Sequence, residues 1–152
     1  MNEDLRRILE KQKYRVVGEH SAVKVCHWLG QRLLHGRSCY KERFYGINSH
    51  RCLQMTPAVN DCTQMCLFCW RFQGFGSTLP PVHDDPEEVL SGCLSAHRNL
   101  IQGYKGDPRC KVEDFAEAME PNQVACSLSG EPTLYSRLGE FFEACHRRGM
   151  TT

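Results

Sequence analysis

The stretch Asp61–Trp70, DCTQMCLFCW, places three cysteines within eight residues, at positions 62, 66 and 69. Three thiolates at this spacing can ligate three corners of an iron–sulfur cubane, whereas a [4Fe–4S] cluster normally takes four cysteines. One iron would then stay open for an external ligand, as catalytic zinc sites keep an open position. A zinc knuckle is the alternative, and C-x2-C alone would favour it. The three-cysteine spacing favours a cluster with an open iron, held by Cys62, Cys66 and Cys69.

The segments on either side of this loop predict alternating strands and helices. A short apolar run makes Met55–Asn60 a predicted strand, and Gly74, Gly76, Pro80 and Pro81 mark a long loop after the cysteines. The later predicted elements are a helix from Asp84 to about Gly103, a helix over Val112–Met119, a strand over Gln123–Leu128, a helix over Leu134–Arg148 and the start of a strand at Met150–Thr152. This order is typical of an α/β fold with a parallel sheet.

Less order is predicted before the loop. An amphipathic helix is expected over residues 2–13, because Leu5, Ile8 and Leu9 recur at helical spacing. Residues 14–54 give mixed signals, with one short helix around Trp28–Leu34, and predict an irregular extension. We therefore divide the chain into an N-terminal extension, 1–54, and the first part of a βα core, 55–152. A full eight-unit barrel takes about 250 residues, so we expect a fragment, a partial (βα) barrel truncated after about two to three strands.

Composition narrows the kind of site. Ten cysteines in 152 residues imply a disulfide scaffold or metal chemistry. The start is charged, and no apolar run approaches the roughly 20 residues of a membrane span, so we expect a cytoplasmic protein with no membrane partner. Clustered cysteines in a reducing compartment are more often metal ligands than disulfides. Residues 1–51 hold 11 Lys and Arg against 5 Asp and Glu, which suits RNA or is simply a solvated basic face.

A glycine-containing acidic turn, SLSGEPT at 127–133, follows the second predicted strand. Open parallel sheets bind ligands at the carboxyl ends of their strands. Gly130 in this turn would let the backbone approach such a ligand closely. The alternative is an ordinary turn between a strand and a helix. The turn therefore indicates a ligand site only in combination with the cysteine loop before it.

A second group of cysteines lies upstream, at Cys26, Cys39 and Cys52, with twelve residues between each and the next. Irregular loops can gather thiols that are this far apart in sequence, so a second three-cysteine cluster is one interpretation. Ordinary buried cysteines or a zinc site are the others, and the spacing alone does not decide between them.

Together these motifs resemble a known enzyme family. The C-x3-C-x2-C loop, with an aromatic residue directly before its last cysteine, resembles the signature of radical S-adenosylmethionine enzymes. The six cysteines in order, with SCYKERFYGI at 38–47, CLFCWR at 66–71 and SLSGEPTLY at 127–135, resemble archaeal-type 4-demethylwyosine synthase. That family condenses pyruvate with N1-methylguanosine-37 of phenylalanine tRNA in wyosine biosynthesis.

The resemblance implies two [4Fe–4S] clusters and S-adenosyl-L-methionine as cofactors. The loop cluster would bind and cleave S-adenosylmethionine, and the implied cofactor-binding residues are Phe68, Ser129, Gly130 and Glu131. The second cluster, on Cys26, Cys39 and Cys52, would chelate pyruvate at its open iron. Alternatively Lys41 forms a Schiff base with pyruvate, since a neutral amine is a nucleophile. A solvated lysine, or a contact to a tRNA phosphate, is the other interpretation of Lys41.

The implied partners are phenylalanine tRNA, pyruvate and a one-electron donor such as ferredoxin or flavodoxin, for a tRNA-modifying carbon–carbon lyase that is monomeric at full length. Arg43, Trp70 and Arg71 are candidates to meet RNA or to pack around the clusters. Another radical S-adenosylmethionine enzyme with an auxiliary cluster, or an inactive cluster-binding fragment, remains an alternative. An electron carrier or zinc protein is a further one, although the cysteines do not follow the ferredoxin spacing.

Overall fold

The computed structural model describes residues 1–64, 66–72, 80 and 82–152, so the loop predicted from Gly74, Gly76 and Pro81 lies outside the described residues. The strands are β1 (Arg15–Val17), β2 (Ser21–Val23), β3 (Cys52–Thr56) and β4 (Gln123–Cys126). The helices are α1 (Glu3–Lys11), α2 (His27–His35), α3 (Tyr40–Tyr45), α4 (Pro86–Ile101), α5 (Val112–Ala118) and α6 (Leu138–Arg147). Among the helices of this described part, none is both long and apolar enough to cross a membrane.

The strands form one mixed sheet in the order β1-β2-β3-β4. β2 pairs antiparallel with both β1 and β3, whereas β3 and β4 run parallel, with Met55 opposite Cys126. On the other side of β4, Thr151 bridges to Gln123 in parallel, and the Val124 N–H donates to the Thr151 carbonyl at 2.7 Å. Because β3 and β4 are parallel, their carboxyl ends lie at the same edge of the sheet.

The main apolar core lies between this sheet and the helices α4 and α6. Leu53 from β3, Leu90 from α4 and Phe141 from α6 are all fully buried in it. α4 confirms the helix predicted after Asp84. It begins there because the Asp85 carboxylate accepts a hydrogen bond from the Glu87 N–H at 2.9 Å and Pro86 occupies the first turn.

Residues 14–54 are more regular than predicted: α2 confirms the short helix expected around Trp28–Leu34, but the irregular structure expected for the rest of the stretch is wrong. β1 and β2 form a hairpin whose turn includes Gly18 at φ +58°, and β2 joins the sheet beside β3. Strands of three residues are too short to show an alternating pattern in the sequence. β3 itself begins at Cys52, before the predicted Met55, and it ends at Thr56 because Pro57 has no N–H to donate. The last helix, α6, begins at Leu138, since Pro132–Leu134 forms a 3-10 turn.

A buried histidine holds together the two ends of the long segment that contains the cysteine loop. His20 is 2% exposed; its Nδ1 lies 2.6 Å from the Pro57 carbonyl oxygen, and its Nε2 accepts from the Asp84 N–H at 2.9 Å. The carbonyl can only accept and the amide can only donate, so the ring is neutral with its proton on Nδ1. Pro57 precedes the cysteines and Asp84 precedes α4, so His20 fixes the separation of the loop's two anchors.

We expect His20→Ala to lower the free energy of unfolding by about 2 to 4 kcal/mol, because it leaves two buried backbone groups without partners. Urea unfolding followed by circular dichroism measures this through the transition midpoint. His35→Ala is the matched control, since His35 is exposed at the end of α2 and its loss should change stability by less than about 0.5 kcal/mol. Equal midpoints for the two variants would contradict the anchoring role of His20.

Candidate functional site

The three loop cysteines share one cavity of about 220 Å³, which we call the loop cavity. It lies where β3 and β4 end, the edge at which open parallel sheets bind ligands. Its lining residues are Cys62, Gln64, Cys66, Phe68, Cys69, Trp70, Arg71, Leu128, Gly130 and Glu131. The structure therefore brings Phe68, Gly130 and Glu131 together with the cysteines, although about sixty positions separate Gly130 from the end of the loop in sequence.

Backbone hydrogen bonds clamp the turn after β4 onto the start of the cysteine loop. The Asn60 N–H donates to the Ser129 carbonyl at 3.2 Å, and the Glu131 N–H donates to the Asp61 carbonyl at 2.7 Å. Ser129 is 3% exposed, and its hydroxyl donates to the Asn60 side-chain oxygen at 3.2 Å. Ser129 thus lies behind the wall of the loop cavity and braces the turn, whereas Gly130 and Glu131 form part of the wall.

Gly130 occupies a position that no other residue fits. Its φ is +104°, a backbone conformation that side-chain-bearing residues rarely adopt. A Cβ at this position would collide with the carbonyl oxygen of Ala58 and lie 3.0 Å from the carbonyl oxygen of Asp61. Close contact between the turn and the backbone of the loop therefore requires glycine here. The predicted approach of Gly130 to a ligand stays a prediction.

The cysteine loop is further shaped by Arg71. Its guanidinium donates to the Asn60 carbonyl at 3.3 Å and to the Gln64 carbonyl at 3.2 Å, so it links the two ends of the segment that carries Cys62. Trp70 is 65% exposed, and the Lys24 ammonium lies 5.9 Å from its ring centre. Of the two RNA candidates on this loop, Arg71 is thus engaged with the loop itself, while the ring of Trp70 is largely exposed and lies beside Lys24.

The upstream cysteines also share a cavity, of about 280 Å³, which we call the upstream cavity. Each comes from a different junction: Cys26 is the N-cap of α2, Cys39 is the N-cap of α3, and Cys52 opens β3. The lining residues are Cys26, Trp28, Cys39, Tyr40, Lys41, Ile47, Ser49, Cys52, Gln54, Ala125 and Ser127. Two of the three thiols thus lie in loop residues that directly precede a helix, and the third lies in a strand.

Lys41 lies on a wall shared by two cavities. It lines the upstream cavity together with the three thiols, and it also lines an adjoining side cavity of about 350 Å³ with Cys52, Gln123 and Thr151. Its side chain is only partly exposed. An amine in this position can meet a small substrate that occupies either space.

The chemistry of the donors fits an iron–sulfur group in each cavity. In the part of the chain that the structure describes, no three His, Cys, Asp or Glu side chains are grouped as a single metal ion would require. A cubane takes one thiolate at each iron, so its thiolates need not converge on one point. Burial raises the pKa of the Cys52 thiol to about 11, with Cys26 and Cys39 adding to the rise and Lys41 opposing it. Without a metal this thiol stays protonated, whereas a coordinating thiol is deprotonated.

Two residues at the upstream cavity were missed by the sequence analysis. Glu42 and Ser49 hydrogen-bond to the segment that carries Cys39 and Lys41. No local pattern in the sequence marks Glu42, because a capping box needs Ser or Thr at the N-cap and Cys39 stands there. Ser49 offers no local pattern either.

No family model matches the chain. It is 51% identical over 154 aligned residues to an S-adenosyl-L-methionine-dependent tRNA 4-demethylwyosine synthase of Pyrococcus abyssi, covering 100% of this chain and 45% of that protein. The enzyme of the same name from Methanocaldococcus jannaschii is 44% identical, with 99% of this chain and 50% of that protein covered. A solved structure of TYW1 with a lysine–pyruvate adduct bound superposes with a TM-score of 0.91 at 44% identity, over 99% of this chain and 50% of that one. The chain thus spans about half the length of the relatives it matches.

Proposed function

We propose, because this chain belongs to the S-adenosyl-L-methionine-dependent tRNA 4-demethylwyosine synthase family and matches its N-terminal part, that it carries the two cofactor sites of that enzyme. The whole enzyme joins pyruvate to N1-methylguanosine-37 of phenylalanine tRNA as a radical carbon–carbon lyase. The observation that carries the proposal is the place of Lys41 on the wall of the upstream cavity, beside three thiols. A lysine–pyruvate adduct in the similar TYW1 structure supports the same role for a lysine here.

The fold agrees with two cofactor sites that lie in different parts of the chain. The observed fold is a mixed α/β sheet with four strands. β3, α4, β4 and α6 are the first units of a partial (βα) barrel that covers 55–152 and starts three residues earlier, at Cys52 of β3. The extension before β3 carries Cys26 and Cys39. A ferredoxin or flavodoxin supplies single electrons, and the full-length protein is a monomer.

The loop cavity is the S-adenosylmethionine site. Cys62, Cys66 and Cys69 would hold the first [4Fe–4S] cluster, which supplies the electron that cleaves S-adenosylmethionine. The residues of this chain shape the space around it. Gly130 lets the turn after β4 approach the loop, and Glu131 and Phe68 line the cavity with a carboxylate and an aromatic ring.

The upstream cavity is the pyruvate site. Cys26, Cys39 and Cys52 would hold the second [4Fe–4S] cluster, whose open iron would act as a Lewis acid towards a carboxylate oxygen. The neutral Nζ of Lys41 attacks the keto carbon of pyruvate, a C–N bond forms, and the keto oxygen leaves as water with both amine protons. The resulting imine anchors pyruvate covalently at the wall between the upstream and side cavities.

Reductive trapping tests this proposal. The anaerobically reconstituted chain is incubated with pyruvate and cyanoborohydride, and the modified lysine is mapped by peptide mass spectrometry. We expect a stable adduct at Lys41 and none in Lys41→Arg, which keeps the charge but cannot form an imine. Lys105→Arg is the control, since Lys105 lies in a remote 3-10 turn and should leave trapping at Lys41 unchanged. Bound pyruvate without an adduct at Lys41 would instead support chelation by the second cluster.

A further inference from the structure

The short helix α3 carries Lys41 and directly follows Cys39. Burial of apolar side chains does not hold this helix in place. Between His35 and Asn48, a stretch that the structure describes in full, Cys39 is the one buried side chain. α3 has six residues and ends at Gly46 in a left-handed conformation, with φ +68°. A helix of this length is unstable by itself. Other contacts must therefore fix its direction and, with it, the direction of Lys41.

Glu42 supplies contacts on both sides of α3. One carboxylate oxygen accepts a hydrogen bond from the Ser38 hydroxyl at 2.6 Å, and the other accepts from the Ser49 N–H at 2.9 Å. Both oxygens thus have partners on segments that flank the helix. The guanidinium of Arg32, on α2, lies 3.9 Å from the same carboxylate. Glu42 therefore connects α3 to the helix that starts directly after Cys26.

Ser49 makes two hydrogen bonds with this segment, one as acceptor and one as donor. Its hydroxyl accepts a hydrogen bond from the Cys39 N–H at 2.9 Å, while its own N–H donates to Glu42. Ser49 is 2% exposed and stands three residues before Cys52. Since buried hydrogen bonds are costly to break, the pair holds the Cys39–Glu42 turn in register with the start of β3.

We propose that Glu42 and Ser49 are positioning residues of the pyruvate site. Through the hydrogen bonds of Ser49 to Glu42 and to the Cys39 N–H, they orient α3 so that Lys41 faces the upstream cavity and Cys39 stays beside Cys26 and Cys52. Neither residue need touch pyruvate. The inference rests on the proposed function for its substrate. The hydrogen bonds of Ser49 to Cys39 and to Glu42, which we call the brace, do not depend on that assignment.

The test uses three variants and one control variant of the anaerobically reconstituted chain. Ser49→Ala removes the acceptor for the Cys39 N–H, and Glu42→Gln keeps the side-chain size but replaces one of its two acceptor oxygens by an NH2 group. Ser49→Thr retains the hydroxyl and should rescue the brace. Glu113→Gln, an exposed glutamate at the start of α5, is the matched control for loss of a negative charge.

Two readouts are taken: the rate of cyanoborohydride trapping of pyruvate at Lys41, and the iron retained when Cys62, Cys66 and Cys69 are all alanine. We expect Ser49→Ala and Glu42→Gln to slow trapping about tenfold or more and to lose most of that iron, because small misplacements have large effects on reaction. Ser49→Thr and Glu113→Gln should stay within about twofold of the parent chain. Unfolding midpoints are measured for every variant.

Parent-like trapping and iron in Ser49→Ala and Glu42→Gln would overturn the inference. So would losses that merely follow a collapse of the unfolding midpoint, with no rescue by Ser49→Thr. If the parent chain traps no pyruvate, the Lys41 imine of the proposed function fails, and the iron retained by the variants decides the inference by itself. Rescue by Ser49→Thr together with unchanged midpoints supports it.

Discussion

Gly130→Ala is expected to weaken S-adenosylmethionine binding by about tenfold or more and to lower the free energy of unfolding by about 2 kcal/mol. The added methyl group would meet the carbonyl oxygen of Ala58, so the turn after β4 must move away from the cysteine loop. The backbone would also have to hold alanine at φ +104°. Because Glu131 and Leu128 line the same cavity, this movement changes the space beside all three loop cysteines. Equilibrium binding of S-adenosylmethionine to the reconstituted chain measures the effect.

Gly139→Ala is the matched control for this substitution. Gly139 lies within α6, no neighbouring atom is within 4 Å of a Cβ built there, and alanine is the better helix former. That variant should bind S-adenosylmethionine as the parent does and be as stable or up to about 1 kcal/mol more stable. Parent-like binding by Gly130→Ala would show that the turn does not form part of the cofactor site.

Replacing the loop cysteines by alanine is expected to halve the iron content of the reconstituted chain, from about eight to about four atoms, because one of two [4Fe–4S] clusters is lost. Replacing Cys26, Cys39 and Cys52 should halve it as well. The two triple variants differ in their response to cofactor. Electron paramagnetic resonance of the reduced protein should shift with S-adenosylmethionine in the parent and in the upstream variant, but not in the loop variant.

Cys110→Ala is the control for cysteine loss, since Cys110 lies in a loop outside both cavities. It should keep about eight iron atoms and the spectral response. One zinc ion per chain and no response to S-adenosylmethionine would contradict the two-cluster interpretation. Loss of all iron in the loop variant would instead indicate that the upstream site depends on the loop site.

The elements that could be predicted from the sequence are those with strong local signals. α4 begins at the predicted place because Asp85 and Pro86 form a helix start, and β4 lies in the apolar run that predicted it. β1 and β2 were missed because each has three residues and gains its stability from pairing across the sheet. Such pairing depends on segments that are distant in sequence, so no local pattern reports it.

The residues of the candidate site could likewise be predicted only where a local sequence pattern marks them. Cysteine spacing within the loop identified Cys62, Cys66 and Cys69, and the structure places Gly130 and Glu131 in the same cavity. Ser129, one of the residues expected to bind the cofactor, has its side chain towards Asn60. The φ and ψ angles of a turn decide which of its residues faces a cavity, and no local sequence pattern gives these angles. The brace on α3 required three-dimensional information, since the bond from Cys39 to Ser49 joins residues ten positions apart, on the two sides of α3.

The upstream thiols reach their cavity from two helix starts and the first position of a strand. In an unfolded chain, the twelve residues between successive thiols keep them apart, and gathering them has an entropic cost. The loop thiols stay neighbours whether or not the chain has folded. A group that binds the upstream thiols therefore recognises the native conformation selectively, and its binding free energy adds to that of folding. A group bound to the upstream thiols would thus show that the chain has folded, whereas a group could bind the loop thiols at any stage of folding.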